Sequence, residues 1–412
     1  MDEAILKVGV VSIYPPKGSI HAESGGVASY TKNLVESLSL DNISDLIVFA
    51  DKIDNKKEEY TEDKTRVIRC WDKILLYPLQ LFISIFKERK DIDVFHIQHE
   101  YFLYGGALSA VLFPPLLFLI KILRKPTIVT MHGIIPFSGF GKEFMKQNNI
   151  KGNALFLKYG LWIITKLIYR GSDKIVVHED YFRNILANDY GVDIEKIAVI
   201  PHGIEKRNDI IPKEKAKQIL GVEDKNSLLF FGYIAGYKGI ETLIDAFNYL
   251  DDKDYALFIA GGEHPRLRDD LDYQKYIKDL KEGAEKLSKN IIFTGFVPEE
   301  KIPLYFSATD LVVLPYTLEM SSSGPLAFSI AYNCPFLVSD ALKESVALNE
   351  IIFQRNPEDL ANKIDLFFNS NDLKRKAVNY GKRLKCEWKW TTVGKKTYSM
   401  YGEIYYNRKV ME

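Results

Sequence analysis

Leu311-Val-Val-Leu-Pro315 is a continuously apolar run that ends in a proline, and it decides the fold class of this chain. A strand that is apolar at every position must be covered on both faces, as in a parallel sheet between layers of helices. The run is followed by an acid, Glu319, then by the small residues Ser321–Ser323 and by a helical pattern from Gly324. Strand, loop and helix in this order indicate one unit of an α/β protein.

The same alternation extends through the whole chain. Short β-branched runs are separated by longer segments with helical spacing, such as Val27–Leu38 and Ile240–Leu250. The pattern restarts after Pro201-His-Gly203, so we expect two Rossmann-like domains at residues 1–205 and 206–380, facing a cleft, and a C-terminal helix over 381–412 that packs back on the first domain. The predicted strands are Lys7–Ile13, Leu46–Ala50, Val94–Gln98, Thr127–Met131, Lys174–His178, Ile197–Pro201, Ser227–Gly232, Ala256–Gly261, Asn290–Thr294, Leu311–Pro315 and Pro335–Ser339.

Composition excludes several classes of protein. The 412 residues include 55 lysines and arginines and 55 acids, so bulk positive charge offers no means of binding nucleic acid. Three separated cysteines argue against a disulfide scaffold and a structural zinc site. No basic segment precedes the apolar stretch Ile5–Ile13, so we expect no secretory signal and a cytoplasmic location.

Residues 101–120 contain no charged side chain, and a segment of this length could span a membrane. Gly105-Gly106 and Pro114-Pro115 interrupt this segment and are expected to break a spanning helix. We therefore interpret it as a buried loop and a helix on a sheet face.

Ligands of open α/β sheets bind outside the carboxyl ends of the strands, so the loops there are the candidates for chemistry. Gly25-Gly26 opens a helix but does not match the GxGxxG fingerprint of dinucleotide-binding proteins. Either these glycines let the backbone approach a phosphate or sugar closely, or they only form a tight turn. His132 ends a predicted strand, and His99 with Glu100 ends another; we assign the last two to the acceptor side of the cleft.

Two sequence patterns resemble metal-binding motifs, but neither is expected to form a metal site. His96 and His99 fall on opposite faces of one strand, which separates them. Asp91-Ile-Asp93 precedes a strand, at the end of the sheet away from the expected ligand, and is interpreted as a cap and surface turn. The sequence thus predicts no metal site.

The second half carries sharper signals. Lys238 lies at the start of a helix, where a cation is disfavoured unless an anion is near, so it is a candidate phosphate ligand or a solvated turn lysine. Residues Ser323, Gly324, Pro325 and Leu326 enter the next helix, and a small-residue helix start is a suitable nest for a diphosphate.

Taken in order, the loop motifs resemble the family 4 glycosyltransferases, retaining enzymes of the GT-B fold. Each motif is weak alone, but the ordered set covers nearly the whole chain. The motifs are Ser24-Gly25-Gly26, Thr130-Met-His132-Gly133, Val199-Ile-Pro-His-Gly203, Phe231-Gly-Tyr233-Ile-Ala-Gly-Tyr-Lys238-Gly239, Thr294-Gly-Phe296-Val-Pro298, Asp310-Leu-Val-Val-Leu-Pro315, Ala331-Tyr-Asn-Cys-Pro335 and Asn356-Pro-Glu-Asp-Leu360.

The resemblance implies roles for single residues. The implied catalytic residues are His132, which would touch the transferred sugar, and Glu319, which would occupy the first acidic position of the family's E-x7-E signature. Gly25 and Gly26 would let the backbone approach the donor, and Lys238 would neutralise its diphosphate. The implied donor site further contains Tyr233, Phe296, Ser323, Gly324, Pro325 and Leu326.

Two positions depart from the family pattern. Tyr233 stands where the family usually has an arginine, so Lys238 is the main cation unless His264 or Arg266 helps. The later glutamate of the signature, which typically holds the ribose, is replaced by Ala327 or Phe328, depending on the alignment.

The resemblance implies a hexosyltransferase that retains anomeric configuration, needs no metal or further cofactor, and moves a hexose from a UDP- or GDP-linked sugar to a glycan, glycolipid or other hydroxyl acceptor. Two alternatives stay open at this point. One is a GT-B-fold nucleotide-sugar 2-epimerase, and the other is a non-catalytic glycan-binding or partner subunit.

Two basic segments suggest peripheral contact with an anionic membrane. Residues 141–173 hold six lysines and arginines against two acids, and residues 373–397 hold nine against Glu387. The alternative interpretations are an ordinary covered helix and a solvated helix face.

Overall fold

The computed structural model describes residues 6–19, 26–39, 45–101, 103–142, 145, 152–251, 254–264, 267–318 and 323–411. Within them, each half of the chain forms an open, mainly parallel sheet covered by helices. This confirms the α/β class with two Rossmann-like domains.

The first sheet has the strand order β3-β4-β2-β1-β5-β6-β7-β8. All neighbouring strands pair in parallel except β3, which is antiparallel to β4. Every residue of β1, β2, β5 and β6 is buried, as strands between two layers of helices must be. The strands are β1 (Val8–Ser12), β2 (Leu46–Asp51), β3 (Glu58–Glu62), β4 (Thr65–Trp71), β5 (Val94–His99), β6 (Thr127–Met131), β7 (Lys174–Val177) and β8 (Ile197–Val199).

The β3–β4 hairpin is not among the strands predicted from the sequence. Its two-residue turn, Asp63 and Lys64, has φ values of 46° and 68°, the conformation that matches the twist of a hairpin. Three of the five residues of β3 are glutamates, and the strand is largely exposed at the sheet edge. No apolar run therefore signals β3, and Arg66 and Arg69 interrupt the apolar residues of β4.

Helices cover both faces of the first sheet. Right-handed crossovers place α1, which leads from β1 to β2, on one face, and α2, α3 and α4, which lead in the opposite direction, on the other. The buried clusters agree, since side chains of α2 and α3 pack with Phe95 and Val129, and those of α1 pack with Val8 and Val10. The helices are α1 (Gly26–Ser39), α2 (Tyr77–Glu88), α3 (Ala107–Ile122), α4 (Ala154–Gly171) and α5 (Asp180–Tyr190).

The charge-free segment forms the expected helix on a sheet face, α3. The prediction that Pro114 and Pro115 would break a helix here is wrong, because α3 continues through both. Two intrahelical hydrogen bonds are lost at the prolines, while Phe113, Leu116 and Leu117 are fully buried against the sheet. None of the described helices has the length and apolar character needed to cross a membrane.

The second sheet is parallel throughout the described residues, in the order β11-β10-β9-β12-β13-β14. Its strands are β9 (Asn226–Phe231), β10 (Tyr255–Ala260), β11 (Ile291–Phe293), β12 (Leu311–Leu314), β13 (Phe336–Ser339) and β14 (Ile352–Phe353). Its helices are α6 (Lys213–Leu220), α7 (Ile240–Asp245), α8 (Leu271–Leu287), α9 (Ile302–Ala308), α10 (Gly324–Ala331), α11 (Pro357–Asn369) and α12 (Asn371–Glu387).

The last helix, α13 (Trp390–Met411), lies on the first domain beside α1. Its Tyr401 hydroxyl is 2.6 Å from Nδ1 of the buried His96. The chain crosses between domains twice at one place, where the Ile204 amide donates to the Trp388 carbonyl oxygen at 2.8 Å. The second crossing follows α12, which extends past residue 380, the boundary expected from the sequence.

Candidate active site

The carboxyl ends of the two sheets face each other across the interdomain cleft. Burial raises the pKa of the Tyr237 phenol in the second domain to about 12, and the negative charge of Glu100, which follows β5 in the first domain, contributes to this rise. Leu318, after β12, packs against the cluster of Phe140 and Leu161 in the first domain. Loops from both sheets therefore meet at one site.

On the first domain, His132 is held by side chains from the neighbouring strands. Its Nε2 atom is 2.9 Å from Oε1 of Gln98, and its Nδ1 atom is 3.1 Å from Nε2 of His178. Nδ1 of His178 is in turn 3.0 Å from the Ile200 carbonyl oxygen. The Tyr30 ring of α1 lies against His132, with ring centroids 4.7 Å apart. His132 is 8% exposed at the carboxyl edge of the sheet.

The Ile200 carbonyl oxygen determines which ring nitrogens carry protons in this series of hydrogen bonds. The Ile200 carbonyl can only accept, so His178 donates from Nδ1, and neutral His178 accepts at Nε2 from Nδ1 of His132. The Gln98 amide can serve either state of His132, since its oxygen accepts from a protonated Nε2 and its NH₂ group donates to a bare one. Burial, followed by the nearby His178 and His202, holds the pKa of His132 well below its usual value. His132 is therefore neutral at neutral pH.

The other candidates on the first domain take different positions. His99 is buried between Tyr101 and Phe113, whose ring centroid is 4.5 Å from its own, and burial lowers its pKa to about 3. It points to the face opposite His96, as strand alternation predicts. Gly26 begins α1 and is exposed. Gly25 lies outside the described residues.

On the second domain, a cation lies beside a helix start. The Lys238 ammonium donates to the Tyr316 hydroxyl at 2.7 Å, and that hydroxyl is 3.0 Å from Oγ of Ser323. Ser323 caps α10 by accepting from the Leu326 amide at 3.3 Å. Burial lowers the pKa of Lys238 to about 7. Lys238 forms no ion pair with any residue that the structure describes.

The close approach of these loops requires glycine. At Gly239, with φ of 63°, an added Cβ would lie 2.0 Å from the Pro315 carbonyl oxygen. This contact brings the loop of Lys238 against the strand end that leads to α10. At the start of α10, Pro325 has no N–H that could donate to a diphosphate. The Leu326 amide is occupied by the cap, which leaves the Gly324 amide, with no acceptor among the described atoms.

A cavity of about 280 Å³ opens near the start of α10, since a Cβ added at its lining residue Gly232 would lie 3.3 Å from Cγ of Pro325. Tyr233 and Phe296 line this cavity, and their rings are nearly parallel with centroids 6.5 Å apart. The two residues are 42% and 64% exposed. Two exposed aromatic rings at a cavity of this size suit a flat heterocycle. The cavity is lined by Phe231, Gly232, Tyr233, Ala260, Gly261, Gly262, Phe296, Val297, Glu299, Ile302 and Phe328.

The departures from the family pattern can be located. The Tyr233 ring lies 5.8 Å from that of His264, so two rings stand at the place of the usual arginine. Phe328 packs against Phe231 and Phe306, with centroids 5.3 and 5.7 Å away, and its position is apolar. Glu319 and Arg266 lie outside the described residues.

Among the described residues, no three His, Cys, Asp or Glu side chains are grouped to hold a metal ion. Asp93 lies at the amino edge of the first sheet, where its carboxylate accepts from the Lys7 amide at 3.0 Å. The interpretation of Asp91-Ile-Asp93 as a cap and turn agrees with that placement.

Sequence reasoning did not assign Gln98, His178 and Tyr316 to the site. His178 directly follows β7, so the signal that selected His132, a polar residue at a strand end, was present for it too. Gln98 ends the predicted strand Val94–Gln98 and Tyr316 directly follows Leu311–Pro315, so both carried the same signal. Their contacts could not be assigned because they depend on which side chains of neighbouring strands lie opposite each other.

Comparison with known proteins agrees with this geometry. The model of the family described as Glycosyltransferase Family 4 matches residues 24–207, and that described as Glycosyl transferases group 1 matches residues 212–384. The alpha-monoglucosyldiacylglycerol synthase of Streptococcus pneumoniae is 26% identical over 60% of this chain and 53% of its own length. The mannosylfructose-phosphate synthase of Agrobacterium fabrum is 25% identical over 74% of this chain and 69% of its own.

A solved structure shows the same architecture. The Anabaena protein HepE, in complex with UDP-glucose, superposes with a TM-score of 0.65 at 16% identity, covering 97% of this chain and 100% of that one. The two family models, in the expected order and meeting at the domain junction, account for both halves of the chain. The chain therefore belongs to the family 4 glycosyltransferases and has the GT-B fold.

Proposed function

We propose that this protein transfers a hexose from a UDP- or GDP-linked sugar to a hydroxyl group of a glycan or glycolipid, with retention of anomeric configuration. One observation carries the proposal. Lys238, a cation without an ion-pair partner among the described residues, lies beside the start of α10, and an aromatic cavity opens near the same helix start. The cleft also holds a neutral, oriented imidazole, His132.

The second domain supplies the parts that a nucleoside diphosphate needs. The cavity between Tyr233 and Phe296 suits the base, and Lys238 with the Gly324 amide suits the diphosphate. The charge that stabilises the leaving diphosphate comes from Lys238, so the proposed reaction uses no metal and no further cofactor.

The first domain orients the reacting sugar. His132 is held at both ring nitrogens by Gln98 and His178, so its ring is positioned at the end of β6 before the sugar binds. In the proposed step, the bond between the anomeric carbon and the diphosphate oxygen breaks. The acceptor oxygen bonds to that carbon on the same face, and its proton passes to the departing phosphate.

A thermal-shift series with UDP, GDP, ADP and TDP, each with and without chelator, tests the proposal. A nucleotide at about 100 times its Kd stabilises the fold by about 2.7 kcal/mol. We expect UDP or GDP to raise the melting temperature equally with and without chelator. If no nucleotide shifts the melt, the donor site is misassigned and the non-catalytic alternative gains; if chelator removes the shift, metal-independent binding is wrong.

A further inference from the structure

The outer side of α2, α3 and α4 is unusually apolar for a surface in contact with water. Of the 26 large apolar residues that are exposed in the described part of the chain, 15 lie in these helices and the loop before α2. Leu79, Leu108 and Phe156, one from each helix, are 56%, 67% and 77% exposed. We call this surface the three-helix face. Large exposed apolar patches mark sites of interaction.

The three helices lie side by side, so their exposed residues form one surface. The Tyr77 hydroxyl of α2 donates to the Ser109 carbonyl oxygen of α3 at 3.0 Å. At the other end, Gly171 of α4 approaches Leu117 of α3 so closely that an added Cβ would lie 2.9 Å from the leucine Cβ. Each helix also buries apolar residues against the sheet, so the layer is apolar on both sides.

The charges on this face are almost all positive. Residues 73–90, 107–125 and 152–171 contain ten lysines and arginines against one acid, Glu88. Glu88 is paired with Arg66 of β4. Of the ten basic residues, only Lys73 forms an ion pair with a described residue, Asp51. Nine cations therefore lie on or beside an apolar surface without a described acidic partner.

The other basic segment, residues 373–397, differs because several of its charges are engaged within the protein. Arg375 pairs with Asp372, Lys376 pairs with Glu350, and Arg383 pairs with Glu387. The three-helix face combines apolar exposure with unpaired positive charge, and the C-terminal run does not.

We propose that the three-helix face docks on a bilayer that contains anionic lipid, with its apolar side chains in the interface and its cations at the lipid phosphates. This combination is what an interfacial surface requires. A second copy of the chain is a poor occupant, because a two-fold contact would place ten cations against ten. The bilayer offers both the apolar layer and the missing negative charge.

The docked face adjoins the cleft. In a parallel α/β sheet each covering helix begins near the carboxyl ends of the strands, the edge that carries His132. Leu79, Leu108 and Phe156 all lie in the first turn of their helices. Docking would bring this edge to the lipid surface, which, if the proposed function holds, makes the acceptor a hydroxyl group carried by a membrane lipid.

Vesicle co-sedimentation of the full chain tests the docking. We expect binding to phosphatidylcholine vesicles that contain phosphatidylglycerol, weak binding to phosphatidylcholine alone, and loss of binding at high salt. The triple variant Leu79→Glu, Leu108→Glu, Phe156→Glu should bind about tenfold or more weakly, since it loses apolar insertion and gains repulsion. Leu271→Glu, at a residue 86% exposed on the second domain, is the matched control and should bind like wild type.

Three results would overturn the proposal. They are no binding of the wild-type chain to anionic vesicles, unchanged binding of the triple variant, and a wild-type dimer that the triple variant converts to a monomer. The thermal shift caused by a nucleotide should be equal in all variants, which shows that they are folded. Vesicle binding without any nucleotide shift would refute the proposed function and leave the docking intact.

Discussion

Lys238 offers the sharpest test of the donor site, because its pKa lies in an accessible range. Burial lowers that pKa to about 7, and the amine donates a hydrogen bond to the Tyr316 hydroxyl at 2.7 Å. A bound diphosphate would favour the charged amine, so donor binding should take up a proton. Donor affinity should then be highest below pH 7 and should decrease as the pH rises.

The size of the effect follows from the charged fraction. With a pKa of about 7, roughly ten elevenths of the amines are charged at pH 6 and roughly one eleventh at pH 8. If only the charged form binds, the apparent Kd rises about tenfold between these values. His132 does not titrate in this range, because its pKa is held well below the usual value.

Titration calorimetry with a nucleotide sugar from pH 6 to pH 8 measures this change. A sugar diphosphate is esterified at both ends and keeps its charge through this range. Lys238→Arg remains charged and should bind with an affinity that does not depend on pH. Lys238→Met should also be independent of pH but about 10 to 100 times weaker, the loss of a hydrogen bond to a charged group. A wild-type Kd that is the same at pH 6 and pH 8 would refute the assignment.

Three further substitutions, the first with a matched control, test other parts of the molecule. Gly239→Ala would place a Cβ 2.0 Å from the Pro315 carbonyl oxygen at a φ of 63°, and should lower the free energy of unfolding in urea by more than about 3 kcal/mol; Gly283→Ala, in open space on α8, should raise it by up to about 1 kcal/mol. His132→Ala should abolish sugar transfer while the nucleotide-induced thermal shift persists, and transfer at the wild-type rate would remove His132 from the mechanism. Tyr233→Arg, at a position 42% exposed beside the cavity, should tighten nucleotide binding by about 1 kcal/mol, and an unchanged Kd would show that this position does not face the diphosphate.

The expectation that ligands bind at the carboxyl ends of the strands selected much of the candidate site from the sequence. It selected His132, Lys238 and Ser323, which the structure places on the two edges that face the cleft. It did not assign Gln98, although Gln98 holds His132 at 2.9 Å. That contact depends on the pairing of β5 with β6, where Gln98 lies opposite Thr130. A one-residue change of register would turn the side chains away from each other.

The sequence by itself determined the alternation of buried strands with helices, because a strand between two helical layers must be apolar at every position. It also determined where the alternation restarts, and with it the two domains. It did not reveal the β3–β4 hairpin, because the exposed edge strand β3 needs no apolar run and Arg66 and Arg69 interrupt that of β4.

Only the tertiary structure decided which apolar surfaces remain in contact with water. Residues 107–122 are apolar on all sides, and the sequence is equally compatible with a helix buried on all sides. The fold gives the first sheet one layer of helices on this face and no layer outside it. Phe113 and Leu117 are therefore buried while Leu108 and Ile122 are exposed, because burial depends on how many layers pack and not on the composition of a single helix.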